Sequence, residues 1–363
     1  MAARDRALTP RSVPAVRAGA PHPESVAHSA PAPPGRGLPR SFYRDASGAL
    51  QRELGPRAMA EVLERGEGAL WVDIDTTSRP QLAMLEKVFH FHPLSIEDTL
   101  NPNSRVKIEE YPGYLFVVIR TVSFCEDTTE DPYDLETSNL CFYLGANYLV
   151  TVHGERAPAV TALERRLDQS ADPLARGVER LMHQIMDASV DAFFPILDQI
   201  DDFLDNLEER VFVSFDQTAL REIFTMKRLV LALRKHLAPQ REVFNVLTNR
   251  PTPLLHLETQ VYFRDVYDHI IRINESLDTY RELLSSVLDS YLSQVSNRLG
   301  SSSKALAVVS TISLPLVVFS GMWGMNFDVI PLAKHPYGFE IMFALQLGAV
   351  AVILALLRWR KVL

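Results

Sequence analysis

The chain has 363 residues, 23% of them charged, and a formal net charge of -8. That balance argues against a nucleic-acid partner, which calls for basic patches, and it is compatible with binding cations. The overall composition is that of a soluble protein, so any membrane character is local. Length alone suggests two or three units.

Residues 1–40 are rich in Ala, Pro and Arg and contain no apolar stretch of signal-peptide type. They read as a disordered tail. Residues 41–158 read as an α/β domain. Ala69 to Ile74 is a short strand, and Gln81 to Phe91 has helical spacing with Leu82, Leu85, Val88 and Phe89 on one face. Tyr114 to Val122 is a continuous apolar strand, and Asn139 to Val152 reads as a hairpin turning at Gly145-Ala146-Asn147. Asp127 to Asp134 is an acidic loop. The two cysteines, Cys125 and Cys141, lie in strand-like stretches and read as buried free thiols in a reducing compartment.

From Pro158 the pattern turns helical, with paired helices over 159–250 and a stalk helix over 251–303. Val178 to Phe212 carries apolar residues at three and four, and so does Thr218 to Leu247. The first bears acidic residues (Asp198, Asp201, Asp202, Asp205) and the second basic ones (Arg221, Lys227, Arg228, Arg234), which predicts antiparallel helices with complementary faces. Leu257, Val261, Val266, Ile270, Ile273, Leu277, Tyr280 and Leu284 then recur at a spacing near 3.5. No proline falls between Leu254 and Pro315. The stalk and the first apolar span therefore read as one rod of about 65 residues, roughly 100 Å long. A sustained near-heptad implies self-association.

Two stretches are long enough to cross a bilayer, which takes about 20 apolar residues. The first covers 304–325 and the second 339–357, joined by an external loop over 326–338 and followed by a basic tail over 358–363. Arg298 and Lys304 precede the first span, and Arg358, Arg360 and Lys361 follow the second. The positive-inside rule then puts both termini in the cytoplasm, and the expected location is the cell (inner) membrane. Lipid is the expected surrounding.

Within the first span Ser303, Leu306, Ser310, Leu314, Val317 and Gly321 share one face. They are small or apolar, and no charge interrupts them. A pore with that lining would pass a hydrated ion or gate by dewetting; the same stripe also serves helix packing. At the exit, Gly321 and Gly324 permit a break, and Asn326 supplies uncharged oxygens suited to a hydrated hard cation such as Mg2+. The histidines show no ligand spacing. No catalytic triad, Cys/His pair or phosphate loop stands out, which argues against an enzyme.

Gly324-Met325-Asn326, closing the first of two C-terminal spans, resembles the signature of the CorA family of divalent-cation, chiefly magnesium, channels. The resemblance runs from about residue 67 to 363. It includes Trp71-Val72-Asp73-Ile74, Phe91 to Asp98, Arg105 to Glu109, Asn147 to His153 and Tyr262 to His269. It implies a funnel-shaped homo-oligomer, a pentamer, with an α/β cytoplasmic domain, long stalk helices and a two-span membrane hairpin. It implies a selectivity mouth at Gly324, Met325 and Asn326, and a pore lined by the stripe above, with Ser303, Leu306 and Leu314 at its narrow neck. It further implies that Asp98 of one protomer and Asp265 of the next hold a regulatory Mg2+, with Glu97 and Asp187 at a second site. Asp98 can also pair with Arg105.

The family's pore threonine falls at Val317, its cytoplasmic-end asparagine at Gly300, and a common acidic loop residue at Leu332, although Asp328 remains. Trp323 stands where tyrosine is more usual. These departures leave Co2+, Ni2+ and Zn2+ open beside Mg2+. The expected function is Mg2+ influx down the electrochemical gradient, closed by Mg2+ between cytoplasmic domains. The alternatives are a zinc-type transporter of the same superfamily and a membrane-anchored sensor without flux.

Overall fold

The computed structural model describes residues 16–18, 38–124, 135–154, 157–168, 173–213, 217–325, 332 and 335–360. They belong to two compact units, one ending at Val287 and one beginning at Leu288.

The first unit starts with β1 (Val16–Ala18), β2 (Arg40–Arg44), β3 (Leu50–Arg52), α1 (Pro56–Arg65) and β4 (Ala69–Asp75). Then come α2 (Arg79–Lys87), α3 (Pro93–Leu100), β5 (Lys107–Tyr111), β6 (Tyr114–Phe124), β7 (Leu135–Leu144) and β8 (Tyr148–His153). The sheet runs in the order β3-β2-β4-β8-β7-β6-β5. Only β4 and β8 are parallel along that path, paired from Leu70–Tyr148 to Asp75–His153. Strand β1 lies inside the segment expected to be a disordered tail, yet it pairs in parallel with Leu135–Thr137 of β7.

Alternation along the strands sorts the two faces. Leu70, Val72, Ile74, Tyr143, Val150 and Val152 point to one face, where Met59, Val62, Met84, Leu85, Phe89 and Phe91 from the α1–α3 side complete the core. Phe91 stacks on Tyr143 with ring centroids 4.0 Å apart. Cys141 belongs to this cluster as a buried free thiol, and burial pushes it up to about 12. Cys125 lies outside the described residues.

The β7–β8 hairpin turns at Gly145-Ala146-Asn147, as predicted, with Gly145 N–H donating to Tyr148 O at 2.9 Å. A Cβ at Gly145 would stand 2.1 Å from the Tyr148 ring, so only glycine fits. At α3, Pro93 takes the first turn and His92 caps it, its Nδ1 accepting from Leu94 N–H at 3.2 Å.

The helices that follow are α4 (Pro158–Asp168), α5 (Val178–Asp191), α6 (Phe194–Val213), α7 (Gln217–Asn249) and α8 (Leu257–Trp323). Helix α5 lies across β4, β6, β7 and β8, and α7 covers β5 and β6. The single helix expected over Val178 to Phe212 is broken at Ala192-Phe193. Pro195 explains the break: it has no N–H for the preceding turn and fits only the start of a new helix. In α7, Pro239 is carried inside the helix. Gln240 ties that turn to the sheet by donating to Arg120 O at 3.1 Å.

Of the apolar α8 residues read from the sequence, Val266, Ile270, Ile273, Leu277 and Leu284 are fully buried, whereas Leu257 and Val261 are exposed; Phe263, which the repeat did not include, is the buried apolar residue of that first stretch. Charge pairing differs from the expected face-to-face match of two helices. Arg210 of α6 does meet Glu222 of α7 at 2.7 Å. Arg234 of α7 instead meets Asp278 of α8 at 2.8 Å, and Lys227 donates to Ser285 at 3.3 Å.

The second unit contains the rest of α8 and α9 (Gly338–Trp359). Both helices are long and apolar enough to cross a membrane. Helix α8 continues through Pro315, which cannot donate to the carbonyl one turn back. Thr311 and Ser313 satisfy their hydroxyls on the carbonyls of Ala307 and Val309, each at 2.7 Å. The entry to α9 is tight: a Cβ at Gly338 would sit 2.2 Å from Leu332 O.

Candidate metal centre

Helices α5 and α8 each present a pair of polar residues one turn apart. Asp187 and Asp191 project from α5, Asp265 and His269 from α8. Asp187, Asp191 and His269 bring one ligand atom each within 4.8 Å of one another. The His269 Nδ1 lies 3.2 Å from Asp191 Oδ1, off the line of a hydrogen bond, so this buried nitrogen has no hydrogen-bonding partner. Phe194 meets the imidazole edge-on at 5.4 Å and fixes its plane.

The electrostatics are those of a site short of positive charge. Partial burial, then the Asp191 and Asp265 carboxylates, push Asp187 above the ordinary carboxylate range, while His269 and Arg180 pull it back. Asp265 itself is exposed. One turn before Asp187, His183 is held down to about 4 by burial and by Arg180. Its Nε2 faces the Tyr262 carbonyl at 3.2 Å. It stays neutral and serves packing. A divalent ion between Asp187, Asp191 and His269 would relieve the carboxylate repulsion and use the idle imidazole nitrogen.

Asp98 and Glu97 stand on α3, and Asp98 is already neutralised. Lys107 reaches it at 2.5 Å and Glu109 at 2.8 Å. Burial works to lower the Lys107 pKa, but the hydrogen bonds to Asp98 and Glu109 outweigh it and the net shift is upward. The partner of Asp98 is therefore Lys107, not Arg105. Ser104 Oγ donates to the Asp98 carbonyl at 2.6 Å. Among the described residues no hydrogen bond or ion pair joins Glu97 or Asp98 to Asp187 or Asp265. The proposed sites thus fall in two groups within a chain: Asp187 near Asp265, and Asp98 next to Glu97.

Sequence reasoning missed Asp191 and His269. The histidines lack ligand spacing in the sequence because this one finds its partners on another helix. The signal was present as Asp187-x-x-x-Asp191 and Asp265-x-x-x-His269, two pairs at helical spacing.

In the second unit, Leu306, Leu314 and Val317 are 68%, 66% and 67% exposed. Ser303, Ser310 and Gly321 are exposed as well. The whole stripe is thus left uncovered by the described part of one protomer. Helix α8 ends as the sequence anticipates: Gly324 N–H donates to Ser320 O at 3.2 Å and Gly321 O at 3.1 Å. Met325 is 52% exposed. Asn326, Asp328 and Lys334 lie outside the described residues.

An α/β domain is followed by the long helix α8 and by α9, both long and apolar enough to cross a membrane, and it bears an acidic, imidazole-containing cluster whose spacing suits a cation. The family model described as CorA-like Mg2+ transporter protein matches residues 66–360, and the chain belongs to that family. The cobalt/magnesium transport protein CorA of Thermotoga maritima is 32% identical over 286 residues, covering 78% of this chain and 80% of that protein. The complete structure of the CorA magnesium transporter from Methanocaldococcus jannaschii superposes with a TM-score of 0.75 at 23% identity, over 88% of this chain and 97% of that one. The full-length CmaX structure gives 0.72 at 21% identity, over 91% and 99%. These likenesses show the α/β domain, the long helix and the two-helix C-terminus as one known fold.

Proposed function

We propose that the chain is a divalent-cation channel that carries Mg2+ inward down its electrochemical gradient, with Co2+ and Ni2+ as further candidate ions. The observation that carries this reading is the uncharged stripe from Ser303 to Gly321, exposed in one protomer at the end of a long helix. A ring of copies, five by family resemblance, would turn that stripe into a pore. It would gather Gly324, Met325 and Asn326 at one mouth, with Asp328 nearby. The protein would sit in the inner membrane with both termini in the cytoplasm.

Gating would rest on cytoplasmic carboxylates. Asp187, with Asp191 and His269, would hold one Mg2+; Asp98 and Glu97 would meet Asp265 of a neighbouring copy around another. Ion loss would leave unrelieved repulsion and loosen the ring. The chain does not work as an enzyme in this reading.

The test is Mg2+ uptake into proteoliposomes with an internal fluorescent indicator, comparing wild type with Asn326→Ala. Uptake lost in the variant supports the channel and its mouth. Absence of uptake by wild type at low internal Mg2+ refutes the channel. A second reading, regulation by a transition ion, is favoured by one observation, the imidazole in the cluster. Nitrogen ligands suit Co2+, Ni2+ and Zn2+ better than Mg2+.

A further inference from the structure

Among the apolar residues of α9 one side chain is an amide, Gln346. It donates from Nε2 to the Ser320 hydroxyl of α8 at 2.9 Å. Both residues belong to the second unit. An amide in a hydrocarbon environment is costly unless it finds a partner, and here the partner lies on the last full turn of the first span. Ser320 is adjacent to Gly321 and three residues beyond Val317, so it flanks the uncharged stripe. Its carbonyl also accepts from Gly324 N–H, where the helix ends. The same residue therefore ties the second helix by its side chain and closes the first helix by its backbone.

We propose that Gln346 is a positioning residue for the mouth, pinning α9 to the turn that sets the direction in which Gly324 and Met325 leave α8. The inference deepens the channel reading and rests on it for its functional consequence. Apolar contacts between two smooth helices resist sliding weakly, whereas one hydrogen bond fixes a single register. Losing the bond frees the last turn without unfolding the spans, because α8 and α9 keep their backbone bonds. Gln346 is thus expected to affect selectivity and apparent affinity more than the amount of folded protein.

The test uses the full chain in lipid vesicles, as wild type, Gln346→Leu, Ser320→Ala, the double variant and Ser320→Thr. Two measurements are made. The first is the mobility of a nitroxide attached at Met325→Cys in a Cys125→Ser background, where Cys141 is buried. The second is the Mg2+ concentration for half-maximal uptake, together with the Mg2+ to Co2+ uptake ratio. The expected result is a more mobile label in Gln346→Leu and Ser320→Ala, no further change in the double variant, and a wild-type signal in Ser320→Thr, which keeps the hydroxyl. The half-maximal concentration is expected to move about threefold to tenfold, the size of one interhelical hydrogen bond in a bilayer. An unchanged label in both single variants, or additive effects in the double variant, overturns the proposal. If wild type carries no Mg2+, the channel reading falls, and the label alone decides whether this pair holds the mouth.

Discussion

Replacing Asp187 with Asn removes one carboxylate from the cluster at nearly constant volume. Its partners Asp191 and His269 present ligand atoms within 4.8 Å. Two unit charges at that separation repel by about 1 kcal/mol in water and by about 3 kcal/mol at an effective dielectric of about 20. Asp187 is half-buried and Asp191 exposed, so about 1–2 kcal/mol is the working value. Without divalent ions, Asp187→Asn is therefore expected to be more stable than wild type by about 1 kcal/mol, the imidazole returning part of the repulsion when protonated. With Mg2+ the order reverses. An ion present at about 100 times its dissociation constant adds about 2.7 kcal/mol to a protein that binds it only when folded. The assay is thermal unfolding of the detergent-solubilised full chain, first in chelator and then along Mg2+ and Co2+ titrations. Co2+ is expected to act at lower concentration because one ligand is nitrogen. A variant that matches wild type in chelator and gains as much from Mg2+ would refute the metal centre.

Three further outcomes test the fold around the site. His153 and Glu164 share a buried network: His153 Nε2 meets Asp73 Oδ2 at 3.0 Å, and Thr151 Oγ1 donates to Asp73 Oδ1 at 2.5 Å. Burial opposes the charge on His153, but Asp73 raises it to about 9, while burial and Asp73 push Glu164 up to about 7 against the pull of Arg40. Both folded values are raised, so both contributions are present at low pH and lost as pH rises. Stability is expected to fall from about pH 4.5 to 7 through Glu164 and from about 6.5 to 9 through His153, and Glu164→Gln should flatten the lower part in unfolding scans across pH. Gly68→Ala places a Cβ 2.5 Å from Arg44 O at a φ of +77 and is expected to cost about 2 kcal/mol or more, measured by denaturant unfolding. Cys141, with its thiol near 12 and buried, is expected to resist alkylation at pH 8 until the protein unfolds, which mass spectrometry would follow with time.

Much of the architecture was legible because it depends on local periodicity. The uninterrupted apolar spacing from Leu257 onward marked α8, and the Gly145-Ala146-Asn147 turn marked the hairpin. The missed break at Ala192-Phe193 was also local: Pro195 carried the signal, and a continuous apolar repeat on either side masked it. Side-chain pairing was another matter. Arg105 is nearer to Asp98 in sequence than Lys107 is, yet Lys107 opens β5 and its ammonium reaches back to α3. The choice of Asp278 over the acidic face of α6 as partner for Arg234, and the approach of His269 to Asp191, likewise depend on how three helices pack. Spacing within one helix carries no information about that.

The same pairing bears on which carboxylates a regulatory ion engages first. Repulsion is relieved only where it exists. Asp98 already has the Lys107 ammonium at 2.5 Å, and a divalent ion arriving there must displace that cation or share the carboxylate with it. Among the described residues Asp187 has no ion-pair partner of that kind, and burial together with the Asp191 and Asp265 carboxylates pushes it upward. The metal that stabilises the protomer should therefore occupy the Asp187 cluster before Asp98. Asp98 becomes attractive only when a second negative group, such as Asp265 of a neighbouring copy, tips the balance against Lys107. Within one protomer, Lys107→Met would leave Asp98 and Glu109 without their shared cation, and it should raise the response to Mg2+ while lowering stability in its absence. If Lys107→Met left both unchanged while Asp98→Asn abolished the Mg2+ response, the order argued here would be wrong. The ion would then be held at Asp98 irrespective of its lysine.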